Sequence, residues 1–446
     1  MGYVGWIIFL SILLAGTSTA AGWIRRGPIT SFAIYLTAGV IMGPAVLGLA
    51  HLRFTTESAS WLRAVTEVGL VVSLFITGLK LRIPWRHRGW LTSLRLAVPA
   101  MLLTIAGLVT LMHGWAGWAW PAALALAAIL SPTDPVLASL VSVDDARDDD
   151  AMRVALSGEA GLNDGTALPF LLLALALMGS GSQMDVWVHW FTVDLLWEWL
   201  GGLGIGLLIG WLIGCAGTHM RHAAREVAPS DFLALGIMGL AYGGAELIHA
   251  SGFLAAFAAG VGLRRVELTV TRRHARPNDD DDVIAPAELL VRPNERSTAD
   301  AEHPGHTVGW MLSDALSFGD TMERLIGGAL VFMVGVAAWP AFSATGVVVA
   351  AVLFVVIRPA AVWLGTIGEG LPWQRRLLLG WFGIRGLGSL NYLAFALTHG
   401  VIGDDGGVLA TTVITVVALS ILVHGITTTP LMNWRARALE HHEHAG

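Results

Sequence analysis

The chain has 446 residues, of which 55% are apolar and 13% charged, with a mean hydropathy of +0.66. Soluble globular proteins carry about 25% charged residues, so a water-soluble fold and extensive disorder are both excluded and a polytopic membrane protein remains. A formal net charge of −6 with a single lysine, Lys80, argues against nucleic acid as a partner, and the lone Cys215 can form no intramolecular disulfide.

A membrane span takes about 20 mostly apolar residues. Thirteen segments qualify: 4–24, 28–48, 61–80, 90–112, 118–142, 152–179, 192–216, 231–249, the short 252–264, 324–340, 343–366, 376–399 and 408–430. No positive n-region precedes the first, and Arg25 and Arg26 follow it, so it reads as a span rather than a cleaved signal peptide. With the N-terminus outside, every inside loop is basic: Arg25 and Arg26; Lys80, Arg82, Arg86 and Arg88; Arg147 and Arg153; Arg221 and Arg225; Arg264 and Arg265; Arg375 and Arg376; Arg435 and Arg437. The outside loops hold only Arg53 and Arg63, which is the bias that orients membrane proteins. The expected organisation is spans 1–9 over 1–264, a polar cytoplasmic loop over 265–322, spans 10–13 over 323–433 and a cytoplasmic tail over 434–446. The loop, with Arg272, Arg273 and Arg276 followed by Asp279 to Asp282, lacks the apolar content to fold alone and reads as a solvated linker. His441, His442, Glu443 and His444 could hold a metal, but they follow the last span in a terminus expected to fray.

Ionisable residues inside spans are the informative ones, since each costs roughly 2.5–3.5 kcal/mol on insertion scales. Asp134, Glu159, Asp164, Arg358 and Arg385 lie mid-span, whereas Glu67, Arg95 and Glu246 lie near span ends and read as interfacial. Asp134 sits in Ser131-Pro132-Thr133-Asp134-Pro135, and two prolines three residues apart cannot share one unbroken helix. The fifth span must unwind there, which hydrocarbon tolerates only beside a cavity or inside protein. In Glu159-Ala160-Gly161-Leu162-Asn163-Asp164-Gly165, helical spacing puts Glu159 and Asn163 on one face and Ala160 and Asp164 on another, so the two acids meet different neighbours. Gly158, Gly161 and Gly165 form a small-residue stripe that lets another helix approach. Phe382-Gly383-Ile384-Arg385-Gly386-Leu387-Gly388 makes the twelfth span a second candidate for interruption. Breaks seven spans apart suit two inverted six-helix repeats joined by a linker span, so the fold class is an all-α polytopic membrane protein of about thirteen helices with unwound helices in spans 5 and 12.

Four elements in this order, Thr133-Asp134-Pro135, Glu159 with Asn163-Asp164, Arg358-Pro359 and Gly383-Ile384-Arg385-Gly386, with a weaker Gly78-Leu79-Lys80-Leu81, make the chain resemble the NhaP branch of sodium/proton exchangers, the electroneutral monovalent cation:proton antiporters. The resemblance covers spans two to thirteen. It implies that Asp164 is the shared ion and proton site, that Asp134 assists, and that Thr133 and Asn163 offer oxygens, so the transported metal cation would sit at Asp164 and Asp134. It implies a buried ion pair between Glu159 and Arg358, a place for Arg385 beside the crossing unwound chains, and a homodimer with a dimerisation unit and a moving six-helix core. Such exchangers commonly have serine directly after the glutamate; Ala160 stands there, so one hydroxyl ligand is missing, and the 265–322 loop is longer than usual.

The activity implied is exchange of Na+, or Li+, for H+ across a bacterial inner membrane, in contact with lipid and with no cofactor. Proton and cation would compete for one carboxylate, and because Asn163 cannot titrate, one proton per cation is the natural stoichiometry. The alternative is a potassium/proton antiporter using the same site, which nothing in the sequence excludes. A membrane-embedded enzyme or a channel fits less well: no mid-span histidine accompanies a Gly-x-Ser element, and arginine pairing of the acids suits transport.

Overall fold

In hydrocarbon every backbone N–H and C=O must be paired within the chain, so an apolar sequence resolves into helices. The computed structural model describes all residues except 1–2, 28, 53–55, 140, 180–182, 226, 275–284, 293–295, 297–302, 401–403 and 444–446, and the regular elements among the described residues are all helical. Arg53, Arg276, Asp279 to Asp282 and His444 lie outside these residues, as do the side chains of Arg25, Arg26, His441, His442 and Glu443.

The chain begins with α1 (Tyr3–Thr19), α2 (Ala21–Arg26), α3 (Ser31–Met42) and α4 (Thr56–Lys80). Next come α5 (Arg88–Arg95) and α6 (Met101–Gly114), joined through a π-helical turn at Leu96–Ala100 that contains Pro99. Then follow α7 (Trp120–Leu130), α8 (Ala151–Met178), α9 (Gln183–His189) with a π segment Trp190–Trp197, α10 (Glu198–Ala223), α11 (Asp231–Leu247), α12 (Gly252–His274) and α13 (Pro304–Ala338). The last elements are α14 (Ala344–Val352), a π turn Leu353–Ile357 leading into α15 (Arg358–Gly365), α16 (Trp373–Trp381), α17 (Leu387–Thr398) and α18 (Asp404–Glu443). Pro99 and Pro359 each remove a backbone donor, and a π turn beside each lets the helix continue past it.

Among the described residues, seven helical stretches are long and apolar enough to cross a membrane: Ser58–Lys80, Arg88–Gly114, Ala151–Met178, Met184–Ala223, Pro304–Ala338, Ala344–Gly365 and Gly406–Ala438. Val4–Thr19, Ser31–Met42, Trp120–Leu130 and Leu387–Thr398 are shorter apolar helices. The expected spans at 118–142 and 376–399 are both interrupted, at the positions where proline and glycine cluster.

The helices pack in two groups. One holds α3, α4 and α10 to α13; the other holds α5 to α8 and α14 to α18, with α17 lying along α4 at the seam. Close backbone approach sets the first group. A Cβ on Gly78 of α4 would lie 2.1 Å from the carbonyl oxygen of Phe257, and one on Gly260 of α12 would lie 2.1 Å from that of Phe75. No side chain fits at either place, so small residues let the helices approach closely.

Several of the arginines that orient the chain are ion-paired, as is Arg95. Arg82 pairs with Glu267 at 3.0 Å and Arg264 with Glu288 at 2.8 Å; Arg95 pairs with Glu369 at 3.2 Å, Arg153 with Asp148 at 2.9 Å, and Arg435 with Asp150. These pairs revise the reading of 265–322 as a solvated linker. Helix α12 continues to His274 and α13 starts at Pro304, because Arg264 and Glu267, both fully buried, are neutralised where hydropathy alone ends the span. Between them Ala287 is buried and its N–H donates to Glu267 at 3.2 Å, so this part of the segment folds back onto α12.

Asp150 caps α8, accepting from the N–H groups of Met152 at 2.9 Å and Arg153 at 3.0 Å. Burial pushes its carboxyl up, but the hydrogen bond and charge of Arg435 and these backbone donors outweigh it and hold the group below its ordinary value. A depressed folded value stabilises the protein above the unfolded value and loses that stabilisation as the pH falls through the folded one.

Replacing Gly78 or Gly260 by valine should force α4 and α12 apart and cost about 1–3 kcal/mol. Gly204→Ala, at a position with no atom within 4 Å of the new Cβ, is the neutral control. Thermal unfolding of the detergent-solubilised protein checks this; equal midpoints for Gly260→Val and Gly204→Ala would show that the contact does not set the packing.

Candidate ion site

Helix α7 ends at Leu130, with Ser131 capping it through an N–H to Ala127 at 2.9 Å, and the chain then runs unwound through Thr133 and Asp134. Helix α16 ends at Trp381, and residues 382–386 run unwound into α17. The two breaks cross. The Asp134 N–H donates to the Ile384 carbonyl at 2.9 Å, and the Ser389 hydroxyl donates to the Ile129 carbonyl at 2.8 Å. Gly386 is required at the crossing: a Cβ there would lie 2.3 Å from Leu137 and 2.7 Å from the Asp134 carboxylate.

Asp134 is 1% exposed and both its oxygens are occupied. Oδ1 accepts from the Leu137 N–H at 3.0 Å and Oδ2 from the Gly388 N–H at 3.2 Å, in the first turn of α17. A carboxylate at a helix N-terminus meets free N–H groups and a favourable dipole. Asp134 therefore fastens the crossing.

Asp164 is also 1% exposed, but among the described residues neither carboxylate oxygen has a hydrogen-bond partner. Its backbone carbonyl accepts from the Tyr392 hydroxyl at 2.8 Å, and a Cβ on Gly388 would sit 3.3 Å from its Oδ1. Asn163 donates through Nδ2 to the Thr133 hydroxyl at 2.8 Å and to the Thr133 carbonyl at 3.1 Å, and among the described residues its buried Oδ1 has no donor. Three buried oxygens, two on Asp164 and one on Asn163, thus lie on adjacent residues beside the crossing. The Thr133 oxygens accept from Asn163, so this residue positions the amide. Buried polar groups without partners carry a large penalty, and a hard monovalent cation or a proton is what such an oxygen set can take.

Glu159 meets Arg358, whose Nη2 lies 2.5 and 2.7 Å from the two carboxylate oxygens, with both residues 1% exposed. Arg385 is fully buried beside the second break. Its N–H donates to Ser420 at 2.8 Å and its Nη1 to the Gly383 carbonyl at 2.9 Å. Of the glycine stripe, Gly161 and Gly165 face Phe257 and Leu254 of α12, and Gly158 faces Ser93 of α5. The residues singled out in the sequence are thus placed around one crossing, with Glu159 and Arg358 forming a separate pair. Glu67 and Arg95, read as interfacial, are each partly exposed and paired, with Arg63 at 3.6 Å and Glu369 at 3.2 Å.

Sequence reasoning missed Tyr392, Ser389, Ser420 and His424. His424, buried in α18, holds the Trp381 carbonyl at 3.0 Å and so binds the end of α16. Each is an uncharged polar residue among apolar neighbours, and only its partner distinguishes it.

The model of the sodium/hydrogen exchanger transmembrane family matches residues 9–276 and 317–434. Na(+)/H(+) antiporter 2 of Zygosaccharomyces rouxii is 30% identical over 236 residues, 50% of this chain and 28% of that protein. The Na(+)/H(+) antiporter of Saccharomyces cerevisiae is 29% identical over 231 residues, again 50% of this chain and 23% of that protein. The matched part therefore spans under a third of the length of either yeast relative. The K(+)/H(+) antiporter NhaP of Alkalimonas amylolytica is 24% identical over 97% of this chain and 66% of its own length. The sodium proton antiporter MjNhaP1 of Methanocaldococcus jannaschii shares the fold at a TM-score of 0.66, over 97% of this chain and 98% of that one, at 18% identity. With most of its length matched by the family model, the chain belongs to the sodium/hydrogen exchanger family.

Proposed function

We propose that the protein is a secondary active antiporter that exchanges Na+, or Li+, for H+ by alternating access, one ion for one proton. The observation that carries this reading is the Asp164 carboxylate, fully enclosed, with no donor on either oxygen and the Asn163 amide oxygen on the neighbouring residue. An isolated carboxylate in that setting has to be neutralised by a proton or a cation. If only the neutralised forms cross between inward- and outward-facing states, exchange is obligatory. The relatives named for sodium/proton exchange support sodium as the cation.

A second reading, exchange of K+ for H+ at the same site, is favoured by the Alkalimonas relative that spans almost the whole chain. Ala160, four residues before Asp164, supplies no hydroxyl, so the coordination differs from that of relatives with serine there. In both readings the protein is a transporter rather than an enzyme. It lies in a bacterial inner membrane as a homodimer, with the N-terminus outside and the C-terminus in the cytoplasm; thirteen crossings form two inverted repeats of six.

Asp164→Asn should abolish exchange while leaving insertion and thermal stability near wild type. Dilution-driven proton flux in proteoliposomes, run separately with sodium, potassium and lithium, tests this and identifies the ion. Flux retained by Asp164→Asn would overturn the site.

Glu159→Ala should lower the melting temperature, since leaving a buried partner charged and alone costs about 3–5 kcal/mol. Adding Arg358→Ala should recover part of that loss; strictly additive losses in the double-mutant cycle would show that the two charges do not interact.

Because Asn163 cannot titrate and Glu159 is held by Arg358, no net charge should move per cycle. Imposed valinomycin potentials, with a tetraphenylphosphonium control, should leave the steady-state extent of proton flux unchanged. An extent that follows the potential would show that a second group releases a proton and exclude one-for-one exchange.

A further inference from the structure

Helices α4 and α13 run against each other in opposite directions. A Cβ on Gly69 would meet Ile326 at 2.8 Å, and one on Gly319 would meet Ile76 at 2.2 Å. Ser73 and Lys80, seven residues apart on α4, therefore lie on the face that meets Glu323 and Asp320, three residues apart on α13. Lys80 Nζ lies 3.0 Å from Asp320 Oδ1. The groups bearing on the Glu323 carboxyl are Lys80, Asp320, Asp134 and the Ser73 hydroxyl. Ser73 is fully buried, and among the described residues its hydroxyl has no hydrogen-bond partner. It lies on the α4 face that meets Glu323, an oxygen available to a ligand there.

These residues lead to the crossing. Gly327, one helical turn beyond Glu323 on α13, packs against Val136, where a Cβ would lie 2.7 Å from the valine methyl. Val136 follows Asp134 by two residues. Accessibility falls along this line: the Asp320 side chain is 37% exposed and Lys80 16%, Glu323 is partly exposed, and Asp134 and Asp164 are 1% exposed. An ionisable residue on a membrane helix faces the bundle interior or a polar cavity rather than lipid.

We infer that Glu323 and Ser73 form a second monovalent-cation site, an antechamber on the route from the Lys80 end of the bundle to Asp134 and Asp164. A carboxylate and a hydroxyl oxygen suit a hard monovalent cation, and the single negative charge concentrates it next to the crossing. Lys80 acts against it. Its ammonium, tethered by Asp320, is a fixed positive charge beside the site that weakens cation binding there. The site holds the incoming ion; it does not exchange the proton, which stays with Asp164.

The inference rests on the transport reading above, and the test separates the two. Initial rates are measured in proteoliposomes against the concentration of the cation the wild type exchanges. Glu323→Gln should raise the apparent KM about three-fold or more, with a smaller effect on kcat, the pattern of a lost ground-state contact. Ser73→Ala should raise KM in the same direction by less, and Glu323→Asp should restore part of the wild-type value. Lys80→Gln should lower KM, the sign opposite to Glu323→Gln. A merely structural role would give falls in kcat and melting temperature without this split. An unchanged KM in Glu323→Gln, or a KM that rises in Lys80→Gln, would overturn the antechamber while leaving the Asp164 site standing. Exchange surviving in Asp164→Asn would instead remove the transport reading on which the antechamber depends.

Discussion

The structure depends on one backbone hydrogen bond between two broken helices, from the Asp134 N–H to the Ile384 carbonyl. A helix cut in a low-dielectric interior leaves several donors and acceptors without partners at each cut. Here the two breaks meet their needs mutually. The Asp134 side chain takes the Gly388 N–H at the start of α17, and Ser389 takes the Ile129 carbonyl at the end of α7. Pro132 and Pro135 force the first break, and Gly386 makes room for the second chain to cross it. Once the crossing is fixed, so is the place where α8 can present Asp164.

Charge bookkeeping around the crossing then separates roles among residues of one chemical type. Three buried acids lie on α7's extension and α8. Glu159 is met by Arg358, Asp134 by two backbone N–H groups, and Asp164 by nothing but the carbonyl-bound Tyr392 nearby. A buried charge with a good partner is structural, and an uncompensated one is costly unless a ligand answers it. The helical offset between Glu159 and Asp164 makes this division possible, since it turns one acid toward α15 and the other toward α17.

The parts of the fold that were legible in the sequence are those where a residue type is chemically intolerable in its default setting. Two prolines around Asp134 cannot be helical, charges at 134, 159, 164, 358 and 385 cannot face lipid, and Gly383 and Gly386 flank an arginine in an apolar run. The individual partner of each charge was not legible from spacing; Glu159 with Arg358 came from family likeness. The ends of α12 and α13 were misjudged because hydropathy treats Arg82, Arg264, Glu267 and Glu288 as four polar residues, whereas in contact they neutralise one another and let helix and segment pack. Tyr392, Ser73 and His424 gave no signal, since one hydroxyl or imidazole in an apolar helix looks the same whether it caps a carbonyl or faces an ion. Glu323 stood at the edge of a predicted span and its neighbour Lys80 at the edge of another, and nothing in linear order sets them together.

The placement of the charge pairs bears on how the two groups of helices could move. Lys80–Asp320, Arg82–Glu267 and Arg264–Glu288 all lie within the group of α4, α12 and α13 and its connecting segment. Glu159–Arg358, Arg95–Glu369 and Asp150–Arg435 all lie within the other. Across the seam the contacts among the described residues are of another kind: Phe257 and Leu254 against the bare backbone of Gly161 and Gly165, Val136 against Gly327, the Arg63 guanidinium over the Phe395 ring at 4.8 Å, and the Asn391 amide donating to Thr66 at 3.0 Å and to the Arg63 carbonyl at 3.3 Å. Dispersion contacts between smooth surfaces re-form after a slide, whereas a buried ion pair pulled apart leaves two costly charges. Confining the named ion pairs to each side stiffens each group and leaves none of them to be broken by movement at the seam. Asp164 lies beside Gly388 of α17, the helix that runs along α4 at the seam, so the unpartnered carboxylate stands next to the surface where the two groups meet.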